Sequence, residues 1–226
     1  MPGIYLLMIA LMLAGWLIQM RLKSKFKLYA ETPISSGMSG KEIAEKMLRD
    51  HGITEVKIIS VEGQLSDHYN PMNKTVNLSG DVYHGRNAAA AAVAAHECGH
   101  AVQHANAYAW LNLRSALVPV VNISSRWMTW ILLAGIIFFQ TFPQLLLIGI
   151  VLFSLTTLFS FVTLPVEFDA SRRALVWLEN SRVASSLEHK QAKDALWWAA
   201  MTYVVAAIGS LATLMYYIMI YMGRRD

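Results

Sequence analysis

The sequence predicts a mainly α-helical membrane protein with four transmembrane helices and an α+β domain in the polar stretch between the first two. Three observations carry that prediction. Only 15% of the 226 residues are charged and 55% are hydrophobic, whereas about a quarter of a soluble domain is charged. Four apolar runs without a single charged residue occupy positions 4–20, 127–142, 145–165 and 196–222, each close to or above the roughly 17–25 residues that span a bilayer. Between the first two runs, residues 21–126 alternate between helix and strand periodicities.

Taken in order, residues 1–20 read as an N-terminal transmembrane anchor. No basic residue precedes the run and the cluster "RLKSKFK" follows it, which suits an uncleaved anchor with its N-terminus outside rather than a signal peptide. Lys and Arg number 12 between Arg21 and Arg126, none in the "QTFPQ" turn and five between Arg172 and Lys193. The positive-inside rule therefore puts both polar regions in the cytoplasm, against only the short C-terminal "GRRD". The expected location is the cytoplasmic membrane, multi-pass, with the lipid bilayer as a partner. A net charge of +4 concentrated beside lipid, with no basic motif, gives no reason to expect nucleic acid. One cysteine, Cys98, excludes an internal disulfide.

Residues 21–126 form the expected cytoplasmic domain. "SGKE" at Ser39 to Glu42 has capping-box spacing, and the helix it starts ends at Gly52. "TEVKIISVEG" and "NKTVNLS" alternate as half-exposed strands do, with "QLSDHYNPMN" between them as a loop turning at Asn70-Pro71. An alanine-rich helix then runs from Asn87 through "AAHECGHAVQHA". Pro119 is expected to kink or interrupt the stretch "AWLNLRSALVPVVNISSR" that leads to the second apolar run. Residues 127–165 form a membrane hairpin, 166–194 a cytoplasmic segment, and 195–226 the last transmembrane helix and tail.

On a helix, His96 and His100 stack one turn apart and both imidazoles can reach one zinc ion, while Glu97 can address a water at that ion. His-Glu-x-x-His thus supplies two metal ligands and a general base. His104 shares the face, but it lies more than about 10 Å along the axis from His96, too far for one ion on a straight helix. A third ligand is therefore expected elsewhere. Glu167 and Asp169 follow the third apolar run, where an acid is costly unless paired or metal-bound. Both could simply balance Arg172 and Arg173, but beside the histidine motif Glu167 is the preferred ligand and Asp169 the alternative. His96, His100 and Glu167 make the set of the gluzincin peptidases.

At "SSGMSG", "LSDHYNP", "VNLSGDVYHG", "AAHECGHAVQHA", "RSALVPVVNI" and "LPVEFDASRRAL" the chain resembles the YugP-type neutral zinc metallopeptidases of bacteria over most of its length. The resemblance implies a membrane-embedded zinc metallopeptidase with a zincin-like cytoplasmic domain. The layout is more distantly similar to HtpX-type and CAAX-prenyl proteases. Those often carry an Asp four residues after the glutamate ligand to support a zinc histidine; here that position is Ser171, with the nearby acid at Asp169. In that layout residues 75–79 would bind extended substrate at a strand edge, with an ordinary core strand as the equal alternative. His68, Tyr69, Tyr83, His84 and Arg172 are candidates to stabilise an oxyanion. Cys98 and Gly99 face away from the metal as small packing residues.

The expected function is peptide-bond hydrolysis in membrane-associated proteins, with Zn2+ as cofactor and Glu97 as general base. The alternative is a membrane protein in which zinc serves structure or regulation, closed by His104 or Asp169. Transport is disfavoured, since no span carries the ionisable residues that ion pathways need.

Overall fold

A computed structural model describes residues 2–63 and 66–223. In chain order it contains α1 (Pro2–Ala30), α2 (Gly40–Asp50), β1 (Lys57–Val61), β2 (His68–Asn70), β3 (Thr75–Ser79), α3 (Gly80–His84), α4 (Ala88–Ala105), α5 (Ala109–Ile137), α6 (Pro143–Asn180) and α7 (Ser186–Gly223). Residues 64–65 of the expected loop, and 224–226 of the "GRRD" tail, lie outside the described residues.

Among the described residues four helices are long and apolar enough to cross a membrane: Tyr5–Ala30, Ala109–Ile137, Pro143–Asn180 and Ser186–Gly223. All four outrun the apolar segments that announced them. Pro119 does not interrupt α5, and Pro165 does not end the third span, since α6 continues 15 residues beyond it to Asn180. Of the two outcomes expected at Pro119, interruption is thus corrected. A helix loses one hydrogen bond at an internal proline, and long apolar helices absorb that loss through local adjustment and packing. At the other end α5 stops at Ile137, so residues 138–142 form the turn rather than the end of the span.

The chain packs as two units. One comprises Met1–Leu17, Asn112–Leu164 and Thr202–Asp226. Its core is Leu132, Phe139, Leu146 and Ile150, with Leu214, Tyr217 and Tyr221 packed against them. The α5–α6 hairpin closes on two glycines: a Cβ on Gly135 would lie 2.5 Å from the Leu146 backbone, and one on Gly149 would lie 2.6 Å from the Leu132 side chain. Small residues at such crossings are how helices approach closely in lipid. Leu6, Trp16, Ile123, Trp130 and Ile137 of these helices are exposed, as lipid-facing side chains would be.

The other unit comprises Ile18–Leu111 and Pro165–Met201. Here α2 has the expected capping box: Ser39 Oγ accepts from the Glu42 N–H at 3.3 Å, and Glu42 Oε2 accepts from the Ser39 N–H at 2.7 Å. Gly52 follows its C-cap with φ +70°, a left-handed turn that glycine takes without strain. The buried face of α2, Ile43, Ala44, Met47 and Leu48, joins Val76 and Leu78 of β3 and the alanines of α4 in one core. Asp194 on α7 accepts from Lys25 at 2.8 Å and Tyr29 at 2.5 Å, tying the end of α1 to this unit.

The sheet has the order β1-β3-β2, with β1 parallel and β2 antiparallel to β3. Of the two readings of residues 75–79, this favours the core strand over the docking edge. Every β3 residue is buried and a strand lies on each side of it, so it cannot accept another. The missing neighbour is β2, three residues inside the expected loop and too short to show alternation. Its register places Tyr69 opposite Val76.

Candidate metal centre

The local fold of α4 sets the first half of the site. Asn87 caps it, its Oδ1 accepting from the Ala90 N–H at 2.8 Å, and a run of buried alanines lets it sit in the core on nearly all sides. His96 and His100 follow one turn apart, their ring centroids separated by 4.8 Å and nearly perpendicular. The second half comes from α6, which carries Glu167 into the same place. Glu167 Oε2 lies 3.2 Å from His96 Nε2 and 3.7 Å from His100 Nε2. The three ligand atoms all fall within 4.8 Å of one another, close enough to hold a metal ion. Donors at about 2.0–2.1 Å from a tetrahedral zinc are themselves about 3.3 Å apart, so the two histidine–carboxylate distances fit that ion. Two neutral-capable imidazoles and one carboxylate are also the donor chemistry zinc takes.

The approach of α6 to α4 depends on Gly99. A Cβ there would lie 2.5 Å from the Ala170 carbonyl oxygen. Gly99→Ala is therefore expected to push the two helices apart and destabilise the unit by about 1–3 kcal/mol; thermal unfolding of the detergent-solubilised protein would show it as a lowered Tm. Cys98, on the same turn, is fully buried with its Sγ 3.6 Å from the Ala44 carbonyl, and burial drives its thiol pKa well up, so it is a packing residue.

Both imidazoles are held from behind. Gln103 is completely buried and donates its Nε2 to the Val166 carbonyl at 2.8 Å and to Asp169 Oδ2 at 2.9 Å. That fixes the amide, so Oε1 is the acceptor that meets His100 Nδ1 at 3.0 Å. His100 therefore donates from Nδ1 to Gln103, and Nε2 is the nitrogen that faces Glu167. Asp169 is anchored in turn by Arg172 and Arg173, each at 2.5 Å. His96 Nδ1 meets Ser171 Oγ at 3.1 Å. The position that carries an acid in the more distant proteases thus supports its histidine here with a hydroxyl, while the nearby acid works through an amide. Gln103→Leu is expected to weaken metal affinity about 10- to 100-fold, measured by competition with a chromogenic chelator.

Glu97 is 8% exposed, and its Oε2 accepts from the main-chain N–H of Tyr69 at 3.0 Å. Burial raises its carboxyl to about 7; the charge of His96 opposes the rise, and Glu167 and Asp67 add to it.

The remaining sequence candidates separate. His104 does not join the group, and its Nδ1 instead lies 2.7 Å from the Tyr69 hydroxyl. Asp169 is a support for Gln103 rather than a member of the group. Of the five oxyanion candidates, Tyr69 touches Glu97, and Arg172 reaches His100 only through Asp169 and Gln103. His68 bonds the Ser66 carbonyl, Tyr83 lies under Lys41, and His84 packs edge-on against Tyr83. Gln103 was not singled out from sequence, although a polar residue three positions after His100 was a usable signal.

Residues 4–222 match the family described as "Putative neutral zinc metallopeptidase". The chain is also similar to the "Putative membrane protease YugP" of Bacillus subtilis (strain 168), being 40% identical over 223 residues that cover 99% of this chain and 98% of that protein. No solved structure matches it. The chain carries a His, His, Glu group near enough to hold a metal ion and four helices long and apolar enough to cross a membrane, and it belongs to this family of zinc metallopeptidases.

Proposed function

We propose that this protein is an integral membrane peptidase of the gluzincin type, cleaving membrane or membrane-adjacent proteins with its catalytic unit on the cytoplasmic side. One observation carries the reading: His96 Nε2, His100 Nε2 and Glu167 Oε2 converge, and the buried carboxyl of Glu97, not itself part of the group, interacts electrostatically with both His96 and Glu167. A metal that served structure alone would have no use for that carboxyl.

His96, His100 and Glu167 would hold the zinc, which when bound polarises a carbonyl oxygen and acidifies water. Gln103 Oε1 meets His100 Nδ1 and would so leave Nε2 to hold the ion. Glu97 takes a proton from the attacking water and returns it to the departing amine. The Tyr69 N–H holds one oxygen of Glu97 while the other remains for that exchange. An extended substrate would add to β2, which has β3 on one side and no strand on the other among the described residues. The lysine and arginine distribution supports the cytoplasmic side.

Metal removal tests the reading. Purified protein dialysed against a zinc chelator is expected to lose cleavage of a peptide panel and to recover it when zinc is restored. Undiminished cleavage by protein shown to be zinc-depleted by elemental analysis would end the proposal.

A further inference from the structure

Within the second unit, α6 and α7 enclose a groove of about 260 Å³ that contains none of the proposed metal ligands, although Ser171 and Arg172 of its lining also support that group. Two contacts set its level along the helices. Phe168 stacks edge-on against Trp197 at 6.4 Å, and further along the Leu175 carbonyl accepts from His189 Nε2 at 3.2 Å. One turn from the aromatic rung on each helix stand Arg172 and Lys193, so two cations line the groove at the same level. Both are exposed. Arg172 is paired with Asp169 on its own helix, and Lys193 forms no ion pair among the described residues. The acid in the lining, Glu179, lies about two turns further along α6 from Arg172.

The groove is thus graded. Its end at Phe168, Leu196, Trp197 and Ala200 adjoins the apolar runs that finish at Pro165 and resume at Leu196, and its cations begin one turn away. Tryptophan and basic residues in that order mark the boundary between hydrocarbon and headgroups. Basic pockets between transmembrane helices at this depth suit anionic lipid.

We propose that this groove binds an anionic phospholipid, with its phosphate between Arg172 and Lys193 and an acyl chain along Phe168, Leu196, Trp197 and Ala200. The inference does not depend on catalysis. The test uses the full chain in nanodiscs of phosphatidylcholine containing a trace of diazirine-tailed phosphatidylglycerol or diazirine-tailed phosphatidylcholine. Labelled residues are mapped by mass spectrometry. The glycerol lipid is expected to label the groove at least about fivefold more than the choline lipid. Lys193→Gln should lower that labelling about fivefold, the factor one cation at a lipid surface contributes, and Lys193→Arg should restore it. Equal labelling by the two lipids, or labelling unaffected by Lys193→Gln, would overturn the proposal. So would displacement of both lipids by a co-reconstituted single-span peptide, which would make the groove a polypeptide site.

Discussion

Glu97→Gln is expected to lower peptide hydrolysis by about a hundred- to ten-thousandfold while leaving zinc content and folding unchanged. The amide has the volume of the carboxylate, and its carbonyl oxygen can still accept from the Tyr69 N–H, so the edge strand keeps its hold. What disappears is the ability to take a proton and give it back. The convergence of His96, His100 and Glu167 does not involve this side chain, so the metal should remain. Turnover of a peptide panel, with zinc counted by elemental analysis on the same sample, decides the matter. Full activity in a zinc-loaded Glu97→Gln protein would remove Glu97 from the mechanism. Loss of both activity and zinc would place it among the structural supports of the site.

Glu167→Gln is expected to cost more than about a hundredfold in zinc affinity, a larger loss than replacing a residue that merely supports a ligand. The neutral amide is a poor metal donor, and two imidazoles one turn apart would be left to hold the ion alone. Glu167 is 3% exposed, so its carboxylate sits in the core where the two imidazoles meet it. Asp169→Asn is the matched comparison. Asp169 reaches the site through Gln103, and its loss should weaken zinc by about 10- to 100-fold. Competition with a chelator of known affinity measures both variants. A larger effect at Asp169 than at Glu167 would reverse the assignment of the two acids.

The contrast between these two acids shows how far the residues alone could lead. Helical spacing on α4 was enough to bring His96 and His100 together and to set His104 aside, because rise per residue is a local quantity. Capping chemistry at Ser39 and Glu42 was legible for the same reason. Positions that depend on packing between elements were not. Gln103 takes its role from Val166 and Asp169, more than sixty positions away, and no periodicity reports such a partner. β2 escaped because a three-residue strand is shorter than the pattern that identifies strands, and missing it made buried β3 look like an edge. Pro119, expected to kink or interrupt its stretch, misled in a different way. Pro119 and Pro165 carry a local penalty that long apolar helices absorb, so α5 and α6 run through them.

That continuity through Pro165 bears on how the molecule is made. Glu167 lies 67 positions after His100 (167 − 100), and the chain between them includes Asn112–Leu164, all of it in the other unit. At about 5–20 residues per second, the ribosome takes roughly 3–13 s to travel from one half of the proposed ligand set to the other. During that interval the nascent chain displays two histidines and a glutamate but no third ligand. On the proposed ligand set, the metal site is complete only after the hairpin of α5 and α6 has been synthesised and the helix bearing Glu167 has come to rest against α4.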